Sequence, residues 1–306
     1  MAISSWSILL LPNFCKSPKM LFHLLVGLSL SLLSLPVSGT PGTGLNESEI
    51  QWSKLPYEPD LPVEPLAINY GESEIQNLKS LIQASQIGPP NFENTREDGT
   101  YGLSLTWMLN ARDRWLNNFS WPDTQRRLNR HPHFRATVSD PETQFKYSIH
   151  FMALFSERTD AIPLIMFHGW PGSFLEFVEL FDLVKSRFTP AANPYHLIVP
   201  SLPGFPLSQP LPFESDFGPL DAARIMTRLI HGLGFGDGYV VQGGDLGATI
   251  AMAVAGSDEG CKACHVNFLP ITMAPEGAET NLTAQEAADL EKGRAYMQNH
   301  FGYAAE

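Results

Sequence analysis

The sequence predicts an α/β fold: a mostly parallel sheet with helices on both faces, preceded by a largely helical segment. Two observations carry this. Between residues 161 and 273, short runs that are apolar throughout alternate with amphipathic stretches of helical period. That is the pattern of buried parallel strands joined by crossover helices. Upstream, over residues 40–142, apolar positions recur at helical intervals and the connections are rich in Pro, Gly, Asn and Glu.

Composition narrows the function classes. The chain has 306 residues, 43% of them hydrophobic, enough to bury one large core or two small ones. Its net charge is −12 and no basic run stands out, which argues against nucleic-acid binding. Cys15, Cys261 and Cys264 are too few for a disulfide scaffold. No cofactor motif or metal-ligand cluster is expected.

The elements follow in order. Lys16 and Lys19 precede "MLFHLLVGLSLSLLSLPVSG", Met20 to Gly39. A basic flank, a short apolar run and small residues near its end read as a secretory leader over residues 1–39, cleaved near Thr40. The alternative is an uncleaved membrane anchor, since Leu21 to Val37 reaches the lower edge of a spanning length. Met20 is also a candidate start. Sequons at Asn46, Asn118 and Asn281 fit passage through the secretory pathway, to the exterior or the endoplasmic reticulum lumen.

One helix is expected near Ser73–Ala84. "LSLTWMLNARDRWLNNF" spaces Leu105, Met108, Leu109 and Arg112 helically, and "DTQRRLNRHPHF" is a shorter helix stopped before Pro132. "QFKYSIHFMALF" alternates Phe145, Tyr147, Ile149 and Phe151 as a half-buried strand. "IPLIMF", "YHLIVP", "GYVVQ" and "CHVNFL" are short buried strands. Ser173 and Glu176 form a capping box for "SFLEFVELFDLVKS". "DAARIMTRLIHGLG" places Ala222, Ile225, Met226, Leu229 and Ile230 on one face, and Gly232 and Gly234 end it. "TAQEAADLEKGRAYMQNHF" is a last helix. "CKACH" fits the C-x-x-C-H haem pattern, but Cys264 and His265 would alternate faces of a buried strand and no distal ligand motif accompanies them. Two small core residues are the preferred reading there, with a Cys261–Cys264 disulfide requiring a non-strand geometry. The acids of "ESDF" and "GDGY" read as solvated loop charges.

Chemistry concentrates at "VVQGGDLGATIA". Strand "YVVQ" meets helix "LGATIAMAVAG", so Asp245 occupies the strand-to-helix turn of a nucleophile elbow, with Gly243, Gly244 and Gly247 around it. A serine attacking saturated carbon would leave an ether that water cannot readily cleave. A carboxylate leaves an ester that water can open at its carbonyl carbon, so Asp245 points to substitution at sp³ carbon, as in epoxides or alkyl halides. The bland alternative is an ordinary turn whose aspartate caps a helix. The second motif is "FHGWPGS", with His168, Gly169, Trp170 and Pro171 following strand "IPLIM". The backbone N–H groups of Trp170 and Leu246 would form an oxyanion hole. His168 reads as a structural histidine tied to backbone rather than an acid or base.

In "HGWPGS", "GGDLG" and the upstream "YGLSLTWMLNARDRWLNNFSWPDTQRRLNRHPHF", the chain resembles the microsomal-type epoxide hydrolase family from about Leu61 to Glu306. The resemblance implies an α/β-hydrolase-like core over 143–273, an epoxide hydrolase N-terminal segment over 40–142 and the start of a lid over 274–306. It implies a small-molecule epoxide as substrate, a diol as product and no cofactor. "HFGYAAE" matches the start of the family's lid, where Tyr303 would hydrogen-bond the epoxide oxygen and protonate it. The family places a second tyrosine, an acid and a histidine base further downstream. After Asp245 only His265 and His300 remain, and neither matches that base. The expectation is therefore a truncated, catalytically incomplete chain with an exposed sheet edge beside "CHVNFL" and marginal stability. Two rivals stay open. One is a secreted non-catalytic binding protein. The other is a haloalkane dehalogenase, disfavoured because Leu246 stands where those enzymes have tryptophan. Membrane association would follow only from an uncleaved leader, and the sequence is silent on oligomeric state.

Overall fold

The computed structural model describes residues 7–10, 51–208, 211–212, 214–269 and 282–299. In chain order the elements are β1 (Ser7–Leu10), β2 (Val63–Leu66), α1 (Glu72–Ala84), α2 (Leu105–Asn117), α3 (Trp121–Leu128), β3 (His133–Ser139), β4 (Lys146–Leu154) and β5 (Ile162–Phe167). A 3₁₀ turn (Phe174–Phe177) leads into α4 (Val178–Arg187). Then come β6 (Tyr195–Pro200), α5 (Pro219–Gly232), β7 (Tyr239–Gly243), α6 (Leu246–Ser257), β8 (Cys261–Val266) and α7 (Ala284–Asn299). The described residues up to Phe268 form one compact unit, and α7 belongs to a second that begins at Leu269.

The eight strands form one sheet in the order β1-β8-β7-β5-β6-β4-β3-β2. Strands β8, β7, β5 and β6 are parallel, and β4, β3 and β2 continue the sheet as an antiparallel wing. The central strands are apolar throughout because both faces are covered. Ile165, Phe167, Ile198 and Val241 enter the core under α5 and α6, while Leu164, Met166, Leu197, Val199 and Val240 enter the core under α4. The face foreseen for α5 is buried as a whole, and Gly234 (φ +88°) turns the chain after it. α2 and α3 begin at Ser104 and Ser120, whose hydroxyls accept the N–H groups of Trp107 and Asp123.

Several expectations need correction. β4 is buried on both faces over most of its length rather than half-buried, because it lies inside the sheet between β3 and β6. β2 went unforeseen because four residues are too few to show a period, and β3 went unforeseen although Phe134, Ala136 and Val138 alternate with Arg135, Thr137 and Ser139. The 142/143 boundary falls in the turn between β3 and β4, so the sheet runs straight through it. β8 begins at Cys261, so "CKACH" is the strand itself and His265 lies near its carboxyl end. A register shift opposite Tyr239 and Val240 lets Cys261 and Cys264 enter the same core as free thiols. Burial pushes their thiols up to about 12 and about 11, leaving both inert. In the unprocessed chain the edge of β8 is not open, and removal of residues 1–39 would expose it. β1 pairs with it antiparallel, Ser7 opposite Val266 and Leu10 opposite Ala263, because unpaired edge amides take up an apolar partner strand. No described helix is long and apolar enough to cross a membrane.

A buried polar chain ties the wing to the centre. His133 on β3 donates from Nε2 to the Leu128 carbonyl (3.0 Å), so its Nδ1 accepts from His150 Nε2 on β4 (2.9 Å). His150 Nδ1 then accepts from the Ser201 hydroxyl beyond β6 (2.8 Å). Both rings are neutral: burial holds His133 down at about 4, and burial with the neighbouring His133 holds His150 at about 2. Below the usual histidine value near 6.5 the unfolded chain takes up protons that the folded chain refuses. Stability is therefore present above about pH 6.5 and is lost as pH falls toward 4, by about 1.4 kcal/mol per ring per pH unit. Urea midpoints at pH 7, 6, 5 and 4.5 should fall steadily, and a flat series would refute the neutral pair.

Candidate active site

β7 runs between β5 and β8 and stops at Gly243. α6 starts at Leu246, so Gly244 and Asp245 alone turn the chain from strand to helix. Asp245 takes φ 52° and ψ −124°, a conformation that a residue with a Cβ rarely adopts. It stands at the N-cap position, yet its side chain makes no capping hydrogen bond to the helix. The bland reading of a capping aspartate is thereby answered. The carboxylate is exposed and turned instead toward the loop after β5.

Close packing makes the bend feasible. A Cβ on Gly247 would lie 2.3 Å from the Phe167 carbonyl oxygen, and one on Gly243 would lie 2.0 Å from the Gly247 carbonyl oxygen. Across the gap, a Cβ on Gly169 would meet the Asp245 Cβ at 2.6 Å. Helix, strand and turn touch backbone to backbone, and that contact aims the Asp245 side chain.

The turn of residues 168–171 supplies the partner. The Trp170 N–H donates to Asp245 Oδ1 at 2.8 Å, while the indole itself is 66% exposed. The Trp170–Pro171 peptide is cis. Leu246 opens α6, so its N–H is among those a helix leaves without an internal acceptor. The helix N-terminus also favours negative charge at this corner. His168 is fully buried. Its Nε2 accepts the Leu202 N–H (3.1 Å), so its proton sits on Nδ1, facing the Gly169 carbonyl (3.1 Å). Burial lowers its basicity, and Phe205 packs edge-on against it at 4.7 Å. It is a bracing residue for the turn.

Other sites fall elsewhere. Tyr303, His300, Asn46 and Asn281 lie outside the described residues. Asn118 is exposed, at the C-cap of α2. His265 is buried within β8. Among the described residues no cluster of His, Cys, Asp and Glu could hold a metal ion. Two features escaped the sequence. Glu176 does more than reach back to the Ser173 N–H; its Oε1 also accepts the N–H of Gly169 at 3.3 Å, beside Asp245. A cavity of about 390 Å³, lined by Tyr70, Trp121, Phe174, Leu175 and Leu207, abuts Ser173 at the end of the turn. The first needed the path of the loop, and the second needed α1 and α3 packed against the 3₁₀ turn. Neither leaves a periodic signal.

Parallel centre, elbow and facing turn define an α/β-hydrolase, and residues 162–284 match the family model described as alpha/beta hydrolase fold. Residues 63–177 match the model described as Epoxide hydrolase N terminus. The chain belongs to the epoxide hydrolase family that joins these two parts. It is similar to Aspergillus niger epoxide hydrolase, with 37% identity and a TM-score of 0.70, over 83% of this chain and 65% of that one. A Dothistroma septosporum protein named "Putative epoxide hydrolase" is 37% identical over 257 residues, 83% of this chain and 61% of its own length. Juvenile hormone epoxide hydrolase of Bombyx mori is 28% identical with a TM-score of 0.54, over 65% of this chain and 50% of that one. The chain thus spans less than two thirds of the length of these relatives.

Replacing Gly247 by alanine should cost at least about 3 kcal/mol or abolish folding, since backbone on both sides leaves no room to shift. Gly256→Ala, where an added Cβ meets open space, should be neutral or mildly stabilising. Chemical denaturation of the two variants checks this.

Proposed function

We propose that the chain carries the nucleophilic half of an epoxide hydrolase site and opens small-molecule epoxides through an aspartyl ester. The observation that supports this reading is the Trp170 N–H held on Asp245 Oδ1 at 2.8 Å. That bond occupies one carboxylate oxygen and leaves Oδ2 free to attack. Oδ2 forms a bond to a ring carbon as the ring C–O bond breaks, and the released alkoxide takes a proton from a donor. Tyr303 is the candidate donor. Oδ1 becomes the ester carbonyl oxygen and already lies against its donor. When water adds to that carbonyl carbon, the negative charge develops on Oδ1, where the Trp170 and Leu246 N–H groups stabilise it without rearrangement. Collapse returns the carboxylate and gives a diol. The attacking water needs a base, and His168 does not serve, being buried with both ring nitrogens engaged on backbone.

Incubating the chain with an aryl epoxide and reading intact mass tests the first step. A covalent adduct should appear and map to the peptide containing Asp245, and Asp245→Asn should reduce its formation by about a thousandfold or more. A folded wild-type chain that forms no adduct and no diol would overturn the proposal in favour of a non-catalytic binding protein.

We also propose passage through the secretory pathway, supported by the apolar stretch Met20–Gly39 behind two lysines and by the exposure of Asn118. In a eukaryotic host the mature chain should begin near Thr40, and endoglycosidase should shift its mobility. Asn118→Gln should remove part of that shift. An unprocessed chain with no shift would refute it.

A further inference from the structure

We propose that Glu176 is a positioning residue of this site: its carboxylate holds the turn of residues 168–171 from below, so that the Trp170 N–H stays aimed at Asp245. The mechanistic half of this rests on the reading of Asp245 as nucleophile. The geometric half does not.

Four observations support it. Glu176 Oε1 accepts the Gly169 N–H at 3.3 Å, and the next N–H in the chain, that of Trp170, donates to Asp245 Oδ1 at 2.8 Å. Two consecutive amides of one turn are thus pinned by two carboxylates. Next, the carboxylate fills the space a side chain at residue 172 would take, since a Cβ on Gly172 would lie 1.7 Å from Glu176 Oε1. The glycine leaves room for the glutamate to reach back under the turn. Third, the base of the carboxylate is fixed: Glu176 sits in the 3₁₀ turn, its own N–H donates to the Ser173 carbonyl at 3.0 Å, and Phe174 beside it is buried. Finally, burial and the nearby charge of Asp245 both raise the pKa of Glu176, so its carboxyl resides in the site rather than in open solvent.

The arrangement gives Glu176 a role that a helix cap would not have. Gly169 packs directly against the Asp245 Cβ. If its N–H is released, the peptide plane that carries the Trp170 N–H is free to rotate away from Oδ1. An acceptor at residue 176 is what counts, more than its charge. Glutamine keeps the acceptor at the same reach, whereas aspartate keeps the charge but falls one methylene short.

The test uses the full chain with three variants: Glu176→Gln, Glu176→Ala and Glu176→Asp. Amide hydrogen exchange of peptides covering 167–175 is followed by mass spectrometry, with the rate of adduct formation at Asp245 measured alongside. Exchange in that segment should rise about tenfold in Glu176→Ala and Glu176→Asp and stay within about threefold of wild type in Glu176→Gln. Adduct formation at saturating epoxide should fall about tenfold or more in the first two, with half-saturation little changed, and be retained in the third. Unchanged exchange in folded Glu176→Ala or Glu176→Asp overturns the proposal, as does a Glu176→Gln chain as impaired as Glu176→Ala. If wild type forms no adduct yet exchange responds as stated, the nucleophile reading fails while the positioning role stands.

Discussion

Everything at this site depends on the close approach of α6 to the end of β5. Gly247 lies against the Phe167 and His168 carbonyls with no room for a methyl group. That contact fixes where the helix starts, forces the chain through a positive φ at Asp245 and brings the turn of residues 168–171 within hydrogen-bond reach. The strain of one residue in a rarely populated conformation, of order 1–3 kcal/mol, is offset by the packed elements on either side. Such strain is tolerable only where the surroundings over-determine the backbone. Here β7 pairs on both edges and Ala248, Ile250, Ala251 and Val254 bury the helix.

The wing of the sheet plays a supporting part. β3 and β4 join the parallel centre through β6, and the buried chain His133–His150–Ser201 runs across that junction. Ser208 continues it, accepting the His150 N–H and donating to the Ser201 carbonyl. The same loop supplies the Leu202 N–H that fixes the His168 tautomer. A second anchor lies on the opposite face of the wing. Arg224 of α5 holds Asp140, Glu142 and Asp221 at 3.0, 3.2 and 2.9 Å and binds the helix to the β3–β4 hairpin. Asp140 has its side chain fully buried, so this pair carries more weight than the solvated ones elsewhere. The N-terminal domain is thus structurally continuous with the core that bears the site.

A third polar cluster shows how composition alone misleads. Tyr239, Asp258 and His231 form a tyrosine–carboxylate–histidine group, with the Tyr239 hydroxyl 2.5 Å and His231 Nε2 2.7 Å from Asp258 Oδ2. Burial works against the Asp258 charge, but these partners and the Gly260 N–H outweigh it and hold the carboxyl below its usual range. The residue types suit catalysis. Their place does not: Tyr239 starts β7 and Asp258 follows the end of α6, at the sheet edge opposite the elbow. The cluster ties off helix ends.

By itself the sequence determined the local alphabet of the fold. The apolar runs of β5, β6 and β7, the buried stripe of α5, and the Gly-Gly-Asp-x-Gly spacing are set by residues adjacent in the chain, so period and turn chemistry reveal them. The tertiary structure decided what distant residues do together. β3 lies on the edge of β4 and β2 on the edge of β3, β4 became buried over most of its length because it was enclosed, and β8 begins upstream at Cys261, paired with Tyr239 of β7. Glu176 reached beyond its expected cap to Gly169, and Asp245 left α6 uncapped and took the Trp170 N–H. In each case the choice rests on hydrogen-bond partners and excluded volume supplied by residues far away in the chain, which no local pattern encodes.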